Sequence, residues 1–74
     1  METASLELLK EKLGERIRAL RDIKGLSLRK FALLAEIEHP QLINIEKGRV
    51  DLKLSTLNKI AKGFEINVAE LFNF

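Results

Sequence analysis

Three side chains in the middle of the chain carry hydrogen-bonding groups that match the edges of nucleic-acid bases. They are His39, Gln41 and Asn44, and Pro40 lies among them. The amides of Gln41 and Asn44 can bond bidentately to adenine, His39 can donate to guanine, and Pro40 can meet a thymine methyl group. The plainer interpretations are solvent-facing polarity for the two amides and helix capping for His39.

The rest of the chain offers no set of residues suited to catalysis or metal binding. It has no cysteine and a single histidine, which excludes a thiolate site or a zinc site built on histidines. We find no nucleophile–base constellation and no phosphate-binding loop, and Glu11 and Glu15 fall on a solvated helix face. We therefore expect no enzymatic activity, no cofactor, no metal and no small-molecule substrate.

Positive charge is concentrated in the middle of the sequence. Residues 16–62 hold 11 Lys and Arg against five Asp and Glu, whereas residues 1–15 hold two against four and residues 63–74 hold none against two. This distribution favours a surface that meets a polyanion. A solvated face with scattered lysines is the alternative explanation.

Length and hydropathy limit the architecture and the compartment. A chain of 74 residues forms one small domain, which buries only about 60 % of its unfolded surface. No apolar run approaches the roughly 20 residues of a membrane helix, and the N-terminus lacks the basic and apolar blocks of a secretory signal. We expect a cytoplasmic protein, in the cytoplasm or nucleoid of a bacterium, without membrane contact.

The first helix is indicated by apolar residues at spacings of three and four. Thr3 or Ser5 can cap its start, and Gly25 ends it after Lys24. Gly14 weakens the pattern by up to about 1 kcal/mol relative to alanine, so the helix either continues to Lys24 or breaks near Gly14. The apolar stripe consists of Leu6, Leu9, Leu13, Ile17 and Leu20.

Two short helices follow, joined by a tight turn. Ser27 caps a helix from Leu28 to about Ala35, residues 36–38 form the turn, and the next helix runs from Pro40 to Lys47 with His39 at its cap. The second of these helices has a polar, exposed start, which is the layout of a helix-turn-helix that enters the major groove. The expected inward residues are Phe31, Leu34, Ala35, Leu42 and Ile45.

Two further helices complete the chain. Leu54, Leu57 and Ile60 mark a fourth helix that ends at Gly63, and Asn67 caps a short fifth helix. The predicted fold is all-α, a compact five-helix bundle. Residues 1–12 form an N-terminal helical extension and residues 13–74 form the domain itself.

Four segments in this order resemble the lambda-repressor/Cro-like (XRE-type) helix-turn-helix domains. They are GERIRALR, LSLRKFA, INIEKG and LSTLNKIAKGFEINVAELF, and the resemblance covers residues 13–72. It implies a DNA-binding domain with the helix-turn-helix at helices 2 and 3. It also implies that Ala32 lies where these two helices cross, and that Arg21 and Glu46 form an ion pair between the first and third helices.

By position in that family and by helical phase, the base contacts fall to His39, Pro40, Gln41 and Asn44. The phosphate contacts fall to residues flanking the third helix, with Arg16 and Arg18 as further candidates. These phosphate residues are Arg29, Lys30, Lys47, Arg49 and Lys53.

Three parts of the motif depart from the family pattern. Leu28 stands where a polar residue commonly touches a phosphate, and Glu36 stands where the turn commonly has glycine. The third helix commonly starts with a capping Ser or Thr followed by polar residues, and this chain has Glu38, His39 and Pro40 there. The two carboxylates would repel DNA phosphates unless they point away or pair with basic neighbours.

The sequence therefore predicts a sequence-specific transcriptional regulator, of repressor type, that binds double-stranded DNA as a homodimer on a palindromic operator. The alternative is a protein-interaction module of the same fold that has lost DNA binding. The dimer candidates are Val68, Phe72 and Phe74 near the C-terminus, or Leu6, Leu8 and Leu9 near the N-terminus.

Overall fold

Four α-helices and one short 3-10 helix make up the part of the chain that the structure, a computed structural model, describes: residues 5–74. They are α1 (Leu6–Ile23), α2 (Leu28–Ala35), α3 (His39–Glu46), α4 (Leu54–Phe64) and the 3-10 helix (Val68–Phe72). No strand occurs within these residues, and the predicted all-α class is confirmed. The expected fifth helix is a single 3-10 segment, the form that so short a stretch commonly takes.

The long first helix, α1, is continuous. The Ser5 hydroxyl accepts a hydrogen bond from the Leu8 backbone N–H at 3.0 Å and so caps its start. The other cap candidate, Thr3, lies outside the described residues. The helix does not break at Gly14, and it crosses residue 12, where the sequence suggested a boundary between extension and domain.

The second helix, α2, has the bounds that the sequence predicts. Ser27 caps it, since its hydroxyl accepts from the Lys30 backbone N–H at 3.1 Å. The helix ends at Ala35, and the next residue, Glu36, is left-handed with φ of 58°. A residue with a Cβ is strained in this geometry by about 1–2 kcal/mol, which is why glycine is favoured at such a position.

The third helix, α3, begins one residue earlier than predicted. Glu38 is its extended N-cap residue, and His39 is already helical, with Pro40 next. The first four N–H groups of a helix have no intrahelical partner, so a proline that lacks this group is accommodated at the second position as well as at the first. His39 therefore belongs to the helix and does not cap it.

One apolar core joins all of these elements. Ile17, Phe31, Leu42, Ile60 and Leu71 are fully buried, one from each element in turn. The prediction for Leu34 is wrong, because its side chain is 50 % exposed. The buried residues of α2 are Phe31, Ala32 and Ala35, at spacings of one and three, and Leu34 falls beside this narrow stripe.

Two glycines allow helices to approach closely. A Cβ placed on Gly14 in α1 would lie 2.5 Å from the Glu46 carbonyl oxygen and 2.6 Å from that of Ile45, both in α3. A Cβ on Gly63 in α4 would lie 3.0 Å from a ring carbon of Phe31 in α2. Gly14, which the sequence suggests only weakens α1, is therefore the contact point on which α3 rests.

The C-terminal segment is held against α1. Asn67 and Glu70 form a capping box at the start of the 3-10 helix, in which the Glu70 carboxylate accepts from the Asn67 N–H at 3.1 Å. Arg16 Nε donates to the Glu70 carbonyl oxygen at 3.0 Å. Arg16, a candidate for phosphate contact, thus has a structural partner. Within residues 5–74 no helix is long and apolar enough to cross a bilayer.

Candidate nucleic-acid interface

Three of the predicted base-contacting residues, His39, Pro40 and Gln41, form the first turn of α3. His39 and Gln41 are half-buried and Pro40 is exposed, while Leu42 and Ile45 point into the core. Because two residues of the helix are anchored inward, the rotation of α3 about its axis is set, and the polar side chains of its first turn lie on its outer side.

An ion pair joins α1 to the end of α3. Arg21 Nε donates to Glu46 Oε2 at 2.7 Å and Arg21 Nη2 donates to Glu46 Oε1 at 3.0 Å, a bidentate geometry. A third bond runs from Arg21 Nη1 to the Leu26 carbonyl oxygen at 2.8 Å, in the loop between α1 and α2. Arg21 thereby connects α1, the loop before α2, and α3.

The ion pair is shielded from solvent. The Arg21 and Glu46 side chains are 11 % and 7 % exposed, and Leu28 and Ile43 line the same groove. The hydrogen bond to Glu46 raises the pKa of Arg21 above its ordinary value, and partial burial opposes that shift. Leu28, where the family commonly has a polar residue, is half-buried against the core and covers this pair.

Cationic residues lie at both ends of α3. Arg29 shares a groove with His39 at the start of the helix, and Arg18 shares a groove with Lys47 at its end. All the predicted phosphate residues are exposed: Arg29, Lys30, Lys47, Arg49 and Lys53. Arg18 also lies 4.0 Å from Asp22 Oδ2, a contact between two exposed side chains that leaves it accessible.

The acidic turn beside α3 is exposed as well. Glu38 makes no side-chain capping bond within the described residues, although it lies at the positive end of the α3 dipole, where a carboxylate is stabilising. Glu36 accepts a weak bond on its backbone carbonyl from Lys59 at 3.5 Å, and its own carboxylate faces solvent. These two residues reduce the positive potential at one end of the helix.

Asn44 differs from the other predicted base-contacting residues, because its amide already has protein partners. Asn44 Nδ2 donates to the Pro40 carbonyl oxygen at 3.2 Å, and Asn44 Oδ1 accepts from Arg49 Nη1 at 3.3 Å. The bond between Arg49 and Asn44 cannot be predicted from residue type or spacing, because it depends on how the chain turns after α3.

A family model described as a helix-turn-helix domain matches residues 14–73 of this chain. The chain belongs to the helix-turn-helix domain family. The match spans α1 from Gly14 through the 3-10 helix, and the resemblance to the lambda-repressor/Cro-like domains is confirmed. Within this helix-turn-helix domain, α2 and α3 are the two helices and residues 36–38 are the turn.

Two transcriptional regulators are similar in sequence to this helix-turn-helix domain. The HTH-type transcriptional regulator DdrOP3 of Deinococcus deserti is 42 % identical over 60 residues, which cover 81 % of this chain and 46 % of that protein. The HTH-type transcriptional regulator PuuR of Escherichia coli is 33 % identical over 60 residues, which cover 81 % and 32 %. The chain thus spans less than half the length of these curated relatives.

Solved structures of two other proteins have the same fold, and one of them matches this chain over nearly the whole of its own length. The restriction-modification controller protein C.AhdI from Aeromonas hydrophila superposes with a TM-score of 0.82 at 34 % identity, over 84 % of this chain and 94 % of that one. An HTH_3 family transcriptional regulator from Vibrio cholerae superposes with a TM-score of 0.87 at 31 % identity, over 92 % and 38 %.

Proposed function

We propose that this helix-turn-helix domain binds double-stranded DNA in a sequence-specific manner and acts as a transcriptional regulator of repressor type in the bacterial cytoplasm. One observation carries the proposal. The outer surface of α3 presents hydrogen-bonding side chains at its first turn and has exposed cations at both ends, while its inner surface is fixed by Leu42, Ile45 and the Arg21–Glu46 pair.

The residues of the first turn of α3 and the cations beside the helix would have different roles in DNA binding. His39, Pro40 and Gln41 stand at the start of α3, the part of a recognition helix that meets base edges. Lys47 and Arg29 lie beside the helix, where a cation neutralises a phosphate without distinguishing sequence. Arg18 joins these cations because it lines the same groove as Lys47.

Binding-site selection from random duplex DNA, followed by affinity measurements on the selected site and on a scrambled duplex, tests the assignment. Gln41→Ala is expected to cost about 1–3 kcal/mol on the selected site and almost nothing on the scrambled one. Lys47→Ala should weaken both duplexes by the same factor and reduce the salt slope by about 1. Lys62→Ala removes the same charge from α4, in a groove shared with α2, and serves as the matched control.

Equal losses on both duplexes for Gln41→Ala and Lys47→Ala would contradict this division of roles. A wild-type protein that shifts no duplex at low salt would favour the second candidate, a protein-interaction module. The observations that favour this candidate are the half-buried Leu28, which gives up a polar contact position, and the exposed carboxylates of Glu36 and Glu38.

We further propose a homodimer on a palindromic operator, because one domain contacts only a few base pairs. Paired recognition helices of such dimers lie about 34 Å apart on DNA. The two sets of dimer candidates form one apolar surface, since Leu8, Leu9 and Phe74 line a common groove and the Phe72 and Phe74 rings are 6.3 Å apart. Val68 is half-buried against the core and contributes less.

Sedimentation tests the dimer. Leu9→Ser and Phe74→Ser, at side chains that are 41 % and 55 % exposed, are expected to shift the protein toward monomer without unfolding it. Leu54→Ser removes a side chain that is 81 % exposed outside this surface, and it should leave the association unchanged. A wild-type protein that stays monomeric at high concentration would refute the dimer.

A further inference from the structure

The side chain of Asn44 is bonded at both ends within the protein. Its Nδ2 donates to the Pro40 carbonyl oxygen one turn earlier in α3, at 3.2 Å, and its Oδ1 accepts from Arg49 Nη1, at 3.3 Å. A bidentate bond to adenine uses the amide N–H and the amide oxygen together. For Asn44, one of the two amide N–H groups and one of the two acceptor positions of the oxygen are engaged by protein partners, which holds the amide in a fixed orientation.

The backbone around Arg49 supports the same arrangement. Gly48 is left-handed with φ of 73°, and the Arg49 N–H donates to the Asn44 carbonyl oxygen at 3.0 Å. A Cβ on Gly48 would lie 2.8 Å from Glu11 Cα, so the chain after α3 is pressed against α1. Main chain and side chain of Arg49 therefore both bond to Asn44.

The guanidinium of Arg49 keeps most of its donors free while its position is restrained. It has five N–H groups in a planar fork, one of which bonds to Asn44, and the residue is exposed. This fork matches a phosphate bidentately. Holding it at the end of α3 reduces the loss of side-chain freedom on binding, which is worth about 2- to 10-fold in affinity.

We propose that Asn44 is a positioning residue that holds Arg49 for a DNA phosphate, and that base discrimination falls to the first turn of α3. This rests on the proposed DNA-binding function. The role of Asn44 then differs from that of Gln41, although both are amides on the same short helix. Gln41 makes no side-chain hydrogen bond within residues 5–74 and its amide is free to meet a base.

A double-mutant cycle on DNA affinity separates the two roles of Asn44. Asn44→Ala is expected to weaken the selected site and the scrambled duplex by the same factor, about 2- to 10-fold. In an Arg49→Ala background, the same substitution should have no further effect. Lys47→Ala is the control background: when Asn44→Ala is combined with it, the fold-losses in DNA affinity of the two single variants should multiply. Arg49→Ala should also lower the salt slope by about 0.9.

A measurement without DNA tests the arrangement itself. Nuclear magnetic resonance of the free protein reports the exchange and rotation of the Arg49 guanidinium N–H groups. Asn44→Ala should increase both, and Asn44→Asp, which keeps an acceptor for Arg49, should restore the wild-type behaviour. Thermal melts of each variant establish that it is folded.

The outcomes are distinct. A loss in Asn44→Ala that is confined to the selected site, and that persists in the Arg49→Ala background, would overturn the proposal and make Asn44 a base contact. An Arg49 guanidinium that is as mobile in the wild type as in Asn44→Ala would also overturn it. If the wild type bound no duplex at low salt, the proposed DNA function would fail together with this role.

Discussion

The replacement of Gly14 by alanine tests whether the contact between α1 and α3 is as close as the structure indicates. The new Cβ would lie 2.5 Å and 2.6 Å from the carbonyl oxygens of Glu46 and Ile45. Both obstacles are backbone atoms, so no change of rotamer can relieve them. The two helices must separate by several tenths of an ångström, or the last turn of α3 must shift.

Two opposing terms decide the sign of the effect. Helix propensity favours alanine over glycine in the interior of α1 by about 1 kcal/mol. Overpacking a well-filled contact costs about 1–3 kcal/mol, and here the displaced turn also carries Glu46 and its bonds to Arg21. We expect the free energy of unfolding to fall by about 1–2 kcal/mol, which for a domain of this size lowers Tm by roughly 5–15 °C.

Urea and thermal unfolding followed by circular dichroism measure this loss. Gly63→Ala is the matched control, because Gly63 is also helical but its nearest contacts are longer, at 3.0 Å from a ring carbon of Phe31 and 3.2 Å from the Cα and Cβ of Ala35. It should be less destabilising than Gly14→Ala. Ala19→Gly, at an exposed position of α1, measures the propensity term alone, about 1 kcal/mol.

A Gly14→Ala protein as stable as the wild type, or more stable, would refute the reasoning. It would mean that propensity governs this position and that α3 does not rest on α1 at Gly14. We expect Gly14→Ala to lower the free energy of unfolding more than Gly63→Ala does. It should also weaken DNA binding, because the outer surface of α3 moves with the displaced helix.

Other substitutions test the ion pair and the acidic turn. Arg21→Ala should lower the free energy of unfolding by about 3 kcal/mol because it leaves Glu46 unpaired and largely buried, and the double replacement should cost less than the sum of the single ones, as a double-mutant cycle will measure. Because Glu46 raises the pKa of Arg21, the contribution of Arg21 to stability is complete at neutral pH and is lost only as the pH rises through that raised pKa. Thermal melts from neutral to mildly alkaline pH should therefore show no loss of stability from this group. Glu36→Gly should stabilise the domain by up to about 1 kcal/mol, because it relieves the strain of a left-handed residue while the greater freedom of glycine in the unfolded chain offsets part of that gain. Glu65→Gly, at φ of 61°, should match it in stability, but only Glu36→Gly should raise DNA affinity.

Local features of the fold can be predicted from the sequence because their causes are local. Ser27 caps α2 through a bond to Lys30, three residues away. Gly25 is left-handed at the end of α1, and Asn67 caps the final helical segment. Each of these depends on a few neighbouring residues, so residue type and spacing are sufficient to find them.

The core and the interface depend on contacts between distant residues, and there the sequence alone is incomplete. Leu34 has the hydrophobicity of a core residue, but its exposure depends on how narrowly α2 packs against α4. Gly14 looks like a weak point in a helix until α3 is placed against it. Helical phase puts Asn44 among the base contacts, and only the turn at Gly48 brings Arg49 to its amide.

The sequence by itself determined the helical class, the order of the helices and the family, since caps, periodic apolar residues and motif order are properties of the chain. The tertiary structure alone decided how closely α3 approaches α1, what shields the Arg21–Glu46 pair, and which polar groups of α3 are still free. The physical reason is that these properties arise where residues far apart in sequence meet, and their distances are fixed only when the whole core packs.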